Sequence, residues 1–321
     1  MERSTVLARR TLLGRTAFMV SAMGLAAVTG RAADADRSGA YEGPVIDFRV
    51  RPPWKSFRKA FHAGVDPSVP DQALLEDFLQ AMQESGIRRA VLMGRTLPAS
   101  GFMGQSIPND DIVELCRRHP GTFEGFGSLD VRDPRRALDE LHRCHDQGLK
   151  GIAFDNPMSE LPLHDDDPSL FAIYEECARL GMIISLTSSI LVGPSIDYSH
   201  PRHIQAVATR FPETPVVVPH ASWPWIRQLI AVALQGKAMK VSRVYLMPDF
   251  YFSQDHAPGR GDIVDAARFG LADRILYASS VPALDMPSAA RHTRQTADLD
   301  AVIKQQIMYA NALSLLGEDS A

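Results

Sequence analysis

Residues 45–53 read Val45-Ile46-Asp47-Phe48-Arg49-Val50-Arg51-Pro52-Pro53. A mostly apolar run from Pro44 to Phe48 leads into two arginines spaced i, i+2, so a strand here aims Arg49 and Arg51 in one direction. In a barrel of parallel strands, chemistry is built at the carboxyl ends of the strands, and two adjacent guanidiniums there make an anion clamp. The alternative is a pair of solvated side chains leaving a strand, since arginine is mostly exposed in proteins.

Upstream of this strand, Arg9-Arg10 precede Thr11-Leu12-Leu13, and a small, apolar run follows from Ala17 to Val28. The run is short for a bilayer span, and the pattern is that of a cleavable twin-arginine signal over residues 1–35, with Ala33-Asp34-Ala35 as the cleavage site. Export to the periplasm or beyond is the expectation. No other run is apolar enough to cross a membrane, so no stable insertion is expected after cleavage.

The remaining 286 residues, 36–321, carry 29 basic and 36 acidic side chains, a net of −7 that argues against a nucleic-acid partner. Cys116, Cys144 and Cys177 form an odd count and fall inside helical patterns, which marks them as small buried or half-buried residues.

Strand and helix signals alternate every 25 to 40 residues or so, the pattern of parallel βα units. Strands are expected at 45–50, 90–93, 123–128, 151–154, 182–186, 216–219, 244–247 and 275–278. Helices are expected at 71–84, 110–119, 134–147, 169–180, 203–210, 224–234, 262–269 and 299–308. Eight units predict an α/β fold, a single (β/α)8 TIM-type barrel. No glycine-rich phosphate loop follows the first strand, which lowers the rival doubly wound sheet.

The residues just past each strand then give the contents of the mouth: Arg49 and Arg51, Arg95, Asp130 and Arg132, Asp155, Thr187 and Ser189, His220, Asp249 and Tyr251, and Ser279 and Ser280. This set is rich in arginine and poor in metal ligands; Asp155, His220 and Asp249 are what it offers a divalent ion such as zinc. His142 and His145 are read as an exposed helical face. Asp165-Asp166-Asp167 reads as a cap and loop, and His200-Pro201-Arg202-His203 as the start of a helix.

The order of VIDFRVRP (45–52), GIRRAVLMG (86–94), GLKGI (148–152), FPETPVVVPHASWPW (211–225), RVYLMPDFY (243–251) and LADRILYASSVP (271–282) resembles the amidohydrolase-related family, in its aminocarboxymuconate-semialdehyde decarboxylase-like branch. The resemblance implies a (β/α)8 barrel and, in typical members, one divalent metal. It also implies His-x-His after the first strand, where this chain has Arg49-Val50-Arg51. The expected fifth-strand His falls at Thr187 and the eighth-strand Asp at Ser280. His220, which in metal-dependent relatives is an acid/base or substrate contact, persists.

The expectation is a hydrolase or decarboxylase acting on a small organic carboxylate or lactone without a catalytic metal. His220 would be the acid/base, with Asp155 and Asp249 orienting it or accepting a proton. Arg49, Arg51, Arg95, Thr187, Trp223, Tyr251 and Ser280 would contact substrate. A non-catalytic barrel that binds an anionic small molecule is the rival from another class, and a zinc-type enzyme is a third. The oligomeric state is left open, a homodimer being what pairing of outer helices would give.

Overall fold

A computed structural model describes residues 39–97 and 106–317. The expected signal segment, 1–35, lies outside the described residues. The described residues form one compact unit.

Seven parallel strands follow one another in chain order around a curled sheet: β1 (Val45–Val50), β2 (Ile87–Met93), β3 (Phe123–Ser128), β4 (Gly151–Phe154), β5 (Ile183–Leu186), β6 (Pro215–Pro219) and β7 (Arg243–Met247). Helices return the chain between them: α1 (Lys55–Phe61) and α2 (Asp71–Glu84), α3 (Asn109–Arg118), α4 (Pro134–Asp146), α5 (Phe171–Arg179), α6 (Pro201–Arg210), α7 (Ile226–Met239), α8 (Arg260–Ala266) and α9 (Met286–Arg294). Each strand expected up to β7 is present, with ends moved by up to three residues.

The eighth strand is not. Residues 275–281 make isolated parallel bridges, Ile275 to Leu246 of β7 and Val281 to Val50 of β1. Leu276 N donates to Leu246 O at 2.9 Å, and Phe48 N donates to Tyr277 O at 3.0 Å, so this segment joins the two sheet edges without a continuous ladder. Two local causes are visible. Within the expected 275–278, Tyr277 N donates to Ile307 O at 2.9 Å and not to a strand, and just past it Asp47 takes the Ser279 N–H at 3.0 Å and Ser280 turns left-handed at φ 60°.

The core has two layers. One lies between sheet and helices; the other fills the barrel with Ile46, Phe48, Val91, Met93, Phe126, Val217 and Met247 among others. Phe48 meets Phe126 edge to face, with centroids 5.7 Å apart, as an apolar floor beneath the mouth. Strict alternation from Ile46 and Phe48 would turn Arg49 outward. A register irregularity between Asp47 and Val50 reverses the parity: Val50 joins the outer layer, and both arginines face the mouth. Asp47 Oδ1 accepts from Arg49 N at 3.2 Å inside that irregularity.

The three cysteines are free, two buried and one half-buried, and burial pushes the Cys116 and Cys144 thiols up to about 12. No described helix is long and apolar enough to cross a membrane.

Candidate active site

A cavity of about 260 Å³ opens at the carboxyl ends of the strands. Its polar wall is Arg49, Arg51, Arg95, Thr187, Ser189, His220 and Ser280. Its apolar wall is Phe61, Met158, Leu191, Val192, Phe250, Pro282 and Ala283. The volume lies just under the roughly 300–1,000 Å³ of drug-sized sites, so the ligand is small.

Six of the residues expected to do chemistry or bind substrate meet here: Arg49, Arg51, Arg95, Thr187, His220 and Ser280. Asp249 sits directly behind them and is fully buried. Its Oδ2 lies 2.9 Å from His220 Nδ1 and 3.1 Å from Arg49 Nη1, and Arg49 Nη1 also donates to Ser280 Oγ. Asp155 instead faces Arg95, with Oδ2 3.6 Å from Nε. The pair that orients the imidazole is therefore Asp249 with His220, while Asp155 serves an arginine.

Trp223 and Tyr251 do not line the cavity. They stack on one another 5.2 Å apart at 12°, beside it. Residues 249–251 form a 3₁₀ turn, whose successive side chains point roughly 120° apart. With Asp249 aimed at His220, it is Phe250 and not Tyr251 that reaches the cavity, its ring 5.0 Å from the imidazole. Trp225 turns away as well, donating its indole N–H to Ile196 O at 3.1 Å.

Three site residues hold left-handed backbone: His220 at φ 62°, Asp249 at 40° and Ser280 at 60°. Ala221 and Ser222 continue the same turn at 46° and 55°. Each such non-glycine residue costs of order 1–3 kcal/mol and persists where surroundings fix it, most often at functional sites.

The electrostatics set the arginines apart from each other. Arg49 and Arg95 each face a carboxylate. Arg51 is buried, its Nε has no hydrogen-bond partner, and no carboxylate lies within ion-pair distance of it among the described residues. Its guanidinium lies over the Phe61 ring at 4.4 Å, and Arg95 lies over the same ring at 4.9 Å. Burial, then the charges of Arg49 and Arg95, pull the Arg51 pKa well below its ordinary value. A guanidinium does not give up its proton in a protein, so a buried cation beside two like charges is unfavourable in a way that an anion would relieve.

Burial also lowers the His220 pKa, against the pull of Asp249 and with the help of Arg49 and Arg51. For Asp249 burial pushes upward, but His220 and Arg49 outweigh it and leave the carboxyl below its ordinary range. The resting pair is therefore a neutral imidazole against a carboxylate, with Nδ1 engaged and Nε2 the nitrogen left to exchange a proton.

Sequence reasoning missed the apolar wall. Phe61 comes from the short α1, which the helix pattern did not reveal, and Met158, Leu191 and Val192 come from the irregular loops after β4 and β5.

The amidohydrolase family model matches residues 46–317. The chain belongs to the amidohydrolase family. Among curated proteins it resembles the 2-amino-3-carboxymuconate-6-semialdehyde decarboxylase of Dictyostelium discoideum, 37% identical over 86 residues. That match spans 26% of this chain and 23% of the relative. Among solved structures, an uncharacterized TIM-barrel protein from Bordetella bronchiseptica superposes with a TM-score of 0.75 at 26% identity, over 86% of this chain and all of that one. A dihydroxybenzoic acid decarboxylase from Polaromonas, solved with bound manganese and the inhibitor 2-nitroresorcinol, superposes at 0.59 with 18% identity, over 85% of this chain and 97% of that one.

A divalent ion of the kind held by that neighbour finds a poor donor set in this amidohydrolase's mouth. Arg49, Arg51, Thr187 and Ser280 are cationic or weak ligands, and Asp249 is already shared between His220 and Arg49. Among the described residues, the one grouping of three His, Cys, Asp or Glu side chains suited to a metal is His164, Asp197 and His203, none of which lines the cavity.

Proposed function

We propose that this amidohydrolase is a decarboxylase or hydrolase of a small organic carboxylate or lactone, and that fixed guanidinium charge in its mouth does the electrostatic work of a metal. The observation that carries this reading is Arg51: a buried cation without a carboxylate at ion-pair distance among the described residues, on the wall of a small, half-apolar cavity. The decarboxylase relatives support the substrate class.

In this reading the substrate carboxylate lies against Arg51 and Arg95, with its apolar body between Phe61, Met158 and Phe250. Arg49 and the Ser280 hydroxyl face negative charge that develops on a substrate oxygen, in a site where low polarity strengthens such contacts. His220 moves the proton. In decarboxylation the electron pair of the broken C–C bond stays on the substrate carbon, and His220, having first taken up a proton from solvent, delivers it there as carbon dioxide leaves. In hydrolysis the neutral imidazole takes a proton from the water whose oxygen bonds to the acyl carbon, and the imidazolium returns that proton to the oxygen that leaves as the lactone C–O bond breaks. The depressed His220 pKa favours the neutral form near pH 7 and gives the hydrolytic reading its weight. The Arg9-Arg10 segment adds the proposal that this happens outside the cytoplasm.

The test is turnover by chelator-treated protein against hydroxybenzoates, unsaturated carboxylates and their lactones, followed by carbon dioxide release and by ring opening. The account expects turnover that His220→Ala abolishes while ligand binding survives. Binding without turnover in both proteins would leave a non-catalytic, anion-binding barrel.

A further inference from the structure

We propose that His164, Asp197 and His203 form a site for one divalent ion of the zinc type, separate from the catalytic mouth, which clasps the loops that carry the cavity's apolar wall.

The three residues come from three elements: His164 from the loop after β4, Asp197 from the 3₁₀ turn after β5, and His203 from the first turn of α6. His164 Nε2 and His203 Nε2 flank the same oxygen, Asp197 Oδ2, at 3.8 and 3.9 Å. Donors bound to zinc at 2.0–2.1 Å sit about 3.3 Å apart in a tetrahedron, so the two contacts to Asp197 must shorten by roughly half an ångström, and because the imidazoles are stacked at 17° one ring must turn for both in-plane lone pairs to reach one ion. Two imidazoles and one carboxylate suit zinc-type borderline metals, with water in the fourth position.

Three details favour a ligand set over a chance cluster. First, His203 is buried and its Nδ1 lies 2.6 Å from Asp166 Oδ1, which fixes that nitrogen as the N–H and leaves Nε2 as the lone-pair nitrogen, the carboxylate–histidine arrangement found behind metal ligands. Second, His164 has spent none of its hydrogen-bonding capacity: Nδ1 is buried without a partner and Nε2 has only the 3.8 Å approach. Its ring is held instead by stacking, on Tyr198 at 4.1 Å and on His203 at 4.2 Å. Third, a cation already occupies the gap. The Arg202 guanidinium places Nη2 2.9 Å from Asp197 Oδ2 and donates from Nε to His203 Nε2 at 3.2 Å. Arg202 is 59% exposed, so it can swing into solvent and yield its place to a metal.

The consequence is mechanical. Met158 follows β4, and Leu191 and Val192 follow β5, so an ion held by His164 and Asp197 ties together the two loops that close one side of the cavity.

The experiment is zinc binding by full-length protein stripped with chelator, read by calorimetry, by metal content after dialysis and by thermal midpoint. One zinc per chain is expected, with a raised midpoint. His203→Ala and the less buried His164→Ala should each weaken binding at least tenfold. Arg202→Gln, which removes the competing cation, should tighten it about tenfold. Absence of saturable zinc binding in both wild-type and Arg202→Gln protein overturns the proposal. So does one zinc retained with unchanged affinity in His164→Ala, which would put the ion elsewhere, the catalytic mouth included.

Discussion

His220 Nδ1 lies 2.9 Å from Asp249 Oδ2, a contact between buried groups delivered by the ends of β6 and β7. It fixes which imidazole nitrogen meets the ligand. Asp249→Asn should lower turnover about 100-fold or more, in the range expected when a general acid/base loses its correct form. Because Arg49 shares the same carboxylate, the variant should also lose roughly 3–5 kcal/mol of stability, the usual cost of orphaning a buried charge. Steady-state kinetics and a urea titration read the two effects separately.

The charges around His220 predict the direction in which its titration moves. Burial, Arg49 and Arg51 lower the pKa and Asp249 raises it. The imidazole proton resonance should therefore titrate below the ordinary histidine range in wild-type protein, lower still in Asp249→Asn and higher in Arg51→Met. An NMR titration needs no substrate, and an upward shift in Asp249→Asn would contradict the arrangement.

Asp47 supplies a pH signature of the fold. Burial raises its carboxyl to about 6, against hydrogen bonds from Ser279 and Arg49 that lower it. A carboxyl whose folded pKa is raised favours folding while protonated, below about pH 4, and that advantage is lost as pH rises through 6. The difference amounts to about 3 kcal/mol. Asp47→Asn should remove this loss, so stability measured from pH 4 to 7 should fall in wild-type protein and stay flatter in the variant.

Phe61 lies under two of the cavity's guanidiniums, at 4.4 Å from Arg51 and 4.9 Å from Arg95. Phe61→Leu keeps the bulk and removes the π face. Carboxylate affinity should fall about 3- to 10-fold, the scale of partly desolvated cation–π contacts. Calorimetry checks this, and unchanged affinity would mean that the ring only packs.

What was legible in the sequence was whatever depends on strand ends. β1 spans the expected Val45–Val50, and of the residues expected past the strands Arg49, Arg51, Arg95, Thr187, Ser189, His220 and Ser280 line the cavity, while Asp130, Arg132, Asp155, Asp249 and Tyr251 do not. The direction of the arginines was also right, but it depends on a register irregularity that spacing alone does not reveal. Tyr251 and Trp223 were placed in the site because they follow strands. Their orientation is set instead by a 3₁₀ turn and a left-handed turn, in which neighbouring side chains diverge. The eighth strand had the right apolar run, yet Tyr277 N donates to Ile307 O and not to a strand. Of the metal-type grouping only His203 lay in a segment singled out, as the start of a helix, since its three members come together only when two loops and α6 pack.

The most direct test of the guanidinium-for-metal account is calorimetric binding of 2,6-dihydroxybenzoate, a small monocarboxylate, to chelator-treated wild-type and Arg51→Met protein. The account predicts binding to the metal-free wild-type protein, weakened about 30-fold or more in Arg51→Met, as for other buried charge contacts. Binding that appears only after a divalent metal is added, and that Arg51→Met leaves unchanged, would contradict it.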